Sequence, residues 1–165
     1  MTKKPIKLDK INKKILIELQ NNSRISNNEL SEKVGLSPSA CFQRVKAMED
    51  AGYILQYVMV LDVNKLCVNI KAYAHIYLKS NNYQQCDIFE KEIRKYKQVV
   101  DCLKVNGEID YICFVMCTSV EEFNTMCDEL LQADLGIEKI TSHFVLNEAK
   151  WFGGYPLEIL QWKAD

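Results

Sequence analysis

A chain of 165 residues, 48% of them apolar, is long enough to bury one large core or two small ones. No apolar run reaches the roughly 18 residues a membrane span needs, and the opening MTKKPIKLDK lacks the apolar core and cleavage site of a signal peptide, so a cytoplasmic protein with no membrane partner is expected. The net charge of −1 hides an asymmetry: residues 1–52 hold ten Lys or Arg against six Asp or Glu, and the remainder holds eleven against sixteen. A basic block ahead of an acidic body fits a chain in which one domain meets phosphate and the other does not, although chance variation in surface charge would look similar.

The first predicted helix runs from about Asp9 to Gln20, with Leu8, Ile11, Ile15 and Leu19 at helical spacing and Asp9 as N-cap. The polar stretch Asn21, Asn22, Ser23 closes it. From Ile25 to Gly52 two short helices are spelled out, Asn27–Val34 and Pro38–Ala51. Ser26 and Glu29 form a capping box and Ile25 with Leu30 a hydrophobic staple. Gly35 supplies a left-handed C-terminus, and Ser37-Pro38 starts the next helix at once. Helix, tight turn, helix is the arrangement that sets a second helix into the DNA major groove. In that helix Cys41, Val45 and Met48 form the packing stripe. Ser39, Ala40, Gln43, Arg44, Lys46 and Ala47 form the opposite face, with short or hydrogen-bonding side chains that let a backbone approach base edges.

Tyr53–Leu61, rich in β-branched and aromatic residues, is predicted as a strand leaving the DNA-reading module, and Asp62–Asn69 as turn and loop. A repeated rhythm follows: strand 70–78, helix 84–96, strand 98–105, then strand 109–117, helix 120–131, strand 137–146. Asn106-Gly107-Glu108 joins the two units as a hairpin, and Ser119 with Glu122 repeats the capping-box signal. This is a βαββαβ plan, four antiparallel strands with two helices on one side. The expected division is a helix-turn-helix domain with a basic arm at 1–53, strand and linker at 54–69, a sensing and dimerisation domain at 70–148 and a tail at 149–165. Ile109, Tyr111, Cys113, Val115 and Cys117 are expected on the sheet face that the helices leave open, an apolar face that a second copy of the chain would cover. A groove-reading helix also gains from a second half-site, so two separate needs point to a homodimer.

Seven cysteines, with no Cys-x-x-Cys pair, read as small buried hydrophobes, with a redox or metal sensor as the alternative. Cys113 and Cys117 share a strand face but stand about 13 Å apart, too far for one metal. No cofactor-binding pattern is present.

Leu8-Asp9 before the first helix, then RISNNELSEKVGLSPSACFQRVKAMEDAGYI, then VNGEIDYICFV, together resemble the Lrp/AsnC (feast/famine) family of transcription regulators over residues 8–148. The resemblance implies an α+β protein: an N-terminal winged helix-turn-helix, a connecting strand and a C-terminal ferredoxin-like domain of RAM type. It also implies dimers, commonly assembled into octamers, that bind an amino acid between subunits, leucine or another apolar one being the best match. Ser37, Ser39, Ala40, Gln43 and Arg44 fall on the family's DNA-helix positions, with Lys46 beside them. The serines suit phosphate, Gln43 a base edge, and Arg44 either a guanine edge or a phosphate. For Arg44 the alternative is an intramolecular pair with Glu32, Glu49 or Asp50. Asn106, Gly107, Glu108, Ile109, Asp110 and Tyr111 fall on the effector-loop motif. Asp110 would hold the α-ammonium and turn amides near Gly107 the carboxylate; alternatively Gly107 only permits positive φ and Asp110 caps the hairpin. His143 and Val145 align with positions lining the same cleft; for His143 the alternative is a core or interface histidine.

The sequence departs from the family pattern in places. Ala47 stands where a second basic residue is frequent and Asp50 adds negative charge, which Lys3, Lys4 and Lys7 of the arm would offset. Leu135 precedes Gly136 where proline is usual. The tail carries Trp151, Phe152, Tyr155 and Trp162, read as C-terminal packing, or else as cover for the sheet edge or a higher-order interface. Two other function classes share the scaffold. A tetrapyrrole decarboxylase would want histidine and arginine in an anionic-ligand cleft, but only His75, His143 and Arg94 occur after residue 52. An RNA-recognition module would need a Lys/Arg-Gly-aromatic signature that is missing. A DNA-binding, ligand-responsive regulator of the cytoplasm and nucleoid is the expected function.

Overall fold

The computed structural model describes residues 6–163. The chain divides into two compact units. One runs up to Val60 and resumes at Lys150, and the other spans Leu61–Ala149.

The first unit holds α1 (Lys10–Asn21), α2 (Asn27–Val34) and α3 (Pro38–Ala51). Each begins on a side-chain cap: Asp9 accepts from the Asn12 amide, Ser26 from Glu29 and Ser37 from Ala40. The Ser26–Glu29 capping box is complete, and Gly35 and Gly52 adopt the left-handed conformation at φ +74° and +81° that ends α2 and α3. Ile15, Leu30, Val34, Cys41 and Met48 form the core, with Val45 and Ile25 packed at its margin. The predicted strand Tyr53–Leu61 does not form: residues 55–61 have no regular secondary structure and join no ladder among the described residues, because a strand needs a neighbour for its amides. Its side chains Leu55, Val58, Met59 and Val60 are exposed. The C-terminal tail belongs to this unit, not to the sheet edge. Gln20 donates to the Tyr155 carbonyl and accepts from the Tyr155 amide, and Lys13 lies over the Trp162 ring.

The second unit contains α4 (Val63–Leu66), β1 (Ile70–Leu78), α5 (Tyr83–Ile93), β2 (Val99–Lys104), β3 (Tyr111–Cys117), α6 (Val120–Gln132) and β4 (Ile137–Phe144). The short helix α4 replaces part of the loop expected over Asp62–Asn69. The four strands form one antiparallel sheet in the order β2-β3-β1-β4, the ferredoxin-like plan. α6 starts on Ser119, but Glu122 reaches one residue further back than a capping box requires and accepts from the Thr118 amide.

The sheet faces correct an expectation. Tyr111, Cys113, Val115 and Cys117 are buried in the core with Phe89, Ile93, Phe123, Met126 and Leu130 of the helices. The other face carries Ile112, Phe114 and Met116 with Tyr73, His75 and Tyr77, all only partly buried or exposed. Both faces of β3 are apolar, so alternation alone separates the faces without saying which one the helices cover. The order β2-β3-β1-β4 and the helix stripes decide it.

Candidate DNA interface and effector loop

The reading helix α3 presents Ser39, Gln43 and Lys46 to solvent, with Ala40, Arg44 and Ala47 half-buried beside them. Ser37 is exposed at the N-cap, its hydroxyl 3.3 Å from that of Ser39. Asn27 donates to the Pro38 carbonyl (2.8 Å), which fixes the start of α3 against α2. Lys14 donates to the Lys33 carbonyl at the end of α2, and Lys33 pairs with Glu18 (2.7 Å), so α1 braces the turn.

Arg44 is engaged within the domain. Its Nη1 lies 2.7 Å from Asp9 Oδ2 and 2.9 Å from Asn12 Oδ1. Asn12 is buried and fully used: its amide donates to Asp9, its side-chain nitrogen to the Lys7 carbonyl, and its oxygen accepts from Arg44. The Asn12 amide first, and the Arg44 guanidinium second, hold the Asp9 carboxyl below its ordinary range. Arg44 therefore ties the reading helix to the cap of α1, and its partner is neither Glu32, Glu49 nor Asp50. Phe42, absent from the sequence-predicted face, is 53% exposed and lies one turn before Lys46 on the helix surface. An apolar ring left on an otherwise polar face was the available signal. Lys3 and Lys4 of the basic arm lie outside the described residues.

The second candidate site is the hairpin between β2 and β3. Gly107 adopts φ +116°, open to L side chains only with strain, and Asn106, Gly107 and Glu108 are exposed. Asp110 is half-buried and bonded three ways: its amide donates to the Ile76 carbonyl (3.1 Å), its carbonyl accepts from Val105 (2.9 Å), and its Oδ2 accepts from the Leu78 amide (2.8 Å). That carboxylate anchors the hairpin to the end of β1. Ile109 is half-buried and Tyr111 is turned away from the loop into the helix-covered core, 1% exposed, its hydroxyl 2.7 Å from Glu90 Oε1.

His143 stands on the open sheet face opposite Tyr73, its ring 5.0 Å from that of His75. Val145 donates its amide to the Lys71 carbonyl (2.8 Å). Asp110 is attached at Ile76 and Leu78, whereas His143 and Val145 lie beside Tyr73 and Lys71, three to seven residues and so roughly 10–23 Å away along β1. Within one protomer the loop and these two residues therefore do not share a cleft. Strand alternation places residues on a face without telling which end of a neighbouring strand they meet.

Residues 8–54 match a winged helix-turn-helix DNA-binding family, and residues 71–153 match the Lrp/AsnC ligand-binding domain. The transcriptional regulator AzlB of Bacillus subtilis is 32% identical over 153 residues, 93% of this chain and 98% of that one. The chain belongs to the Lrp/AsnC family of transcription regulators.

The leucine-responsive regulatory protein of Escherichia coli is 32% identical over 143 residues, 87% of each chain. Among solved structures, a transcriptional regulator of Neisseria meningitidis in complex with L-methionine superposes with a TM-score of 0.82 at 34% identity, covering 92% of this chain and 97% of that one. An AsnC-family regulator from Agrobacterium tumefaciens gives the same TM-score at 25% identity, over 93% and 99% of the two chains. This regulator accordingly pairs a DNA-binding helix-turn-helix with a ligand-binding domain, and it is not an enzyme of the tetrapyrrole type. No helix of the described residues is long and apolar enough to cross a membrane.

Proposed function

We propose that this regulator reads operator DNA with the outer face of α3 and adjusts that binding to an apolar amino acid held at the β2–β3 loop of an assembled oligomer. The observation that carries the reading is the exposed row Ser39, Phe42, Gln43 and Lys46 on a helix whose opposite side is locked in the core by Cys41 and Met48. Ser37 and Ser39 suit phosphate, Lys46 a phosphate, Gln43 an adenine edge, and Phe42 with Ala40 a thymine methyl. Arg44 serves as a positioning residue that sets the angle of α3 against α1.

The leucine-responsive name of one relative and the L-methionine in the Neisseria structure favour an apolar amino acid as effector. Main-chain amides around Asn106, Gly107 and Glu108 would take its carboxylate, and Asp110 would face its ammonium with the oxygen not bonded to Leu78. His143 and Val145 would enter such a site only from another copy. Two surfaces support assembly: the open sheet face with Tyr73, Ile112, Phe114 and Met116, and the exposed apolar run 55–61, which joins no ladder among the described residues. A homodimer, built up to an octamer, would cover both and duplicate α3 for two half-sites. Residence in the cytoplasm, on the nucleoid, follows from DNA as partner.

Two measurements test this reading. Gel-shift titration on its own promoter region should give retarded complexes that Gln43→Ala and Lys46→Ala weaken. A thermal-shift panel of the twenty amino acids should single out an apolar one, with a shift that Asp110→Ala removes. A flat panel removes the effector assignment, and absence of any DNA complex at low salt removes the operator-binding reading.

A further inference from the structure

We infer that Cys102 and Cys113 form a reversible dithiol–disulfide switch that cross-links the β2–β3 hairpin under oxidising conditions. The two residues are direct partners in the antiparallel ladder, and their sulfurs stand 3.4 Å apart, with the Cys113 thiol donating to Cys102 Sγ. The Val105 amide donates to the Asp110 carbonyl at the hairpin end. Counting back from that hydrogen-bonded pair, Cys102 and Cys113 occupy a non-hydrogen-bonded position, where Cα atoms approach to about 4.5 Å. A disulfide spans Cα separations of about 4.4–6.8 Å, so the sulfurs need only close by about 1.4 Å through side-chain rotation.

The two thiols differ in a way that assigns roles. Cys102 lies on the edge strand and is partly exposed, whereas Cys113 is 1% exposed. The hydrogen bond from Cys113 holds the Cys102 thiol below its ordinary range, against the opposing effect of burial. The same bond, and then burial, push Cys113 up. Cys102 is therefore the attacking sulfur and Cys113 the resolving one. With a hydroperoxide as oxidant, the Cys102 thiolate attacks one peroxide oxygen, the O–O bond breaks, and the other oxygen leaves as hydroxide, which takes up the proton lost by the thiol to become water. Cys102 is now a sulfenic acid. The Cys113 sulfur attacks it, the S–O bond breaks, and a second water leaves carrying the Cys113 proton. Two thiols and one hydrogen peroxide give one disulfide and two waters, and a dithiol reductant reverses the step by exchange.

The cross-link sits on the stem of the loop Asn106–Asp110 and would stiffen it, whatever that loop binds. The test oxidises the full-length protein with hydrogen peroxide, blocks the remaining thiols with iodoacetamide and maps peptides by mass spectrometry. The expected product is a 102–113 linked pair about 2 Da lighter than the dithiol, restored by dithiothreitol. It should be absent in Cys102→Ser and Cys113→Ser and retained when the exposed Cys67 is changed to Ser. Amide exchange over residues 105–110 should slow in the oxidised protein. Mapping of the unmutated chain needs no variant to fold. Linkage only through Cys67, a 102–127 link, sulfinic acid at Cys102 beside a free Cys113, or unchanged exchange in the cross-linked loop would each overturn the switch.

Discussion

Replacing Arg44 with Ala separates a residue that positions the reading helix from one that touches DNA. The guanidinium and the Asp9 carboxylate are each about one-third exposed, at 34% and 39%, so solvent screens their attraction and the ion pair contributes under about 1 kcal/mol. The second bond matters more. Asn12 is 6% exposed, and removing Arg44 leaves its Oδ1 without the donor at 2.9 Å. An unsatisfied buried acceptor costs about 1–3 kcal/mol, so with the ion pair Arg44→Ala should destabilise the first unit by about 1–4 kcal/mol in total. The assay is amide exchange in α1 and α3 of the full-length protein, read beside a DNA titration at several salt concentrations. The slope of log K against log salt should stay near the unmutated value in Arg44→Ala, whereas Lys46→Ala should reduce it by about 0.9 if that lysine neutralises one phosphate. An Arg44→Ala protein with unchanged exchange and a slope lowered by about one would refute the positioning role and make Arg44 a phosphate contact.

Three further outcomes are expected. Ser26→Ala removes the acceptor for the Glu29 amide and leaves the Glu29 carboxylate with half of its reciprocal bond, so α2 should lose about 1 kcal/mol, read as faster amide exchange over residues 27–34. Tyr111→Phe deletes the 2.7 Å bond to Glu90 from a ring that stays packed on Phe89, and a denaturant titration should register a loss of about 1 kcal/mol in the second unit. Asp9 is held below its ordinary range when folded, so its contribution is complete above the unfolded value near ~3.9 and disappears as pH falls through the lower folded value. An acid titration of first-unit stability should therefore steepen below about pH 4 in the unmutated protein and flatten in Asp9→Asn.

Legibility in the sequence followed the range of the interactions. Helices α2 and α3 were readable to the residue because their ends are written in local chemistry: Ser26 with Glu29, Gly35, Ser37-Pro38 and Gly52. The βαββαβ order was readable from period and turn residues. What was not legible depended on contacts between distant parts of the chain. Arg44 found its partner 35 positions away at Asp9, where nearby acids had looked equally suitable. Asp110 reached the Leu78 amide, 32 positions earlier, which no local motif encodes. Tyr111, Cys113, Val115 and Cys117 face the helices and not the open side, which alternation does not reveal because their neighbours Ile112, Phe114 and Met116 are just as apolar. Tyr53–Leu61 has the composition of a strand, yet β-propensity describes a side-chain preference and cannot supply a missing neighbour.

That last segment has a consequence for the life of the polypeptide before it matures. From Ala51 to Leu61 there is no charged residue, and Asp50 and Asp62 bracket the run. Its outward amides, carbonyls and aliphatic flank would template adhesion between nascent copies, the hazard that gatekeeper charges exist to limit. Aspartates at both borders confine that stickiness to one stretch, while Tyr53 and Tyr57 moor its first half by bonding the Ile6 carbonyl and Glu49. Dilute, slow synthesis should therefore favour correct pairing over precipitation, and charge reversal at Asp62 should leave borders of opposite sign that attract one another in antiparallel stacks.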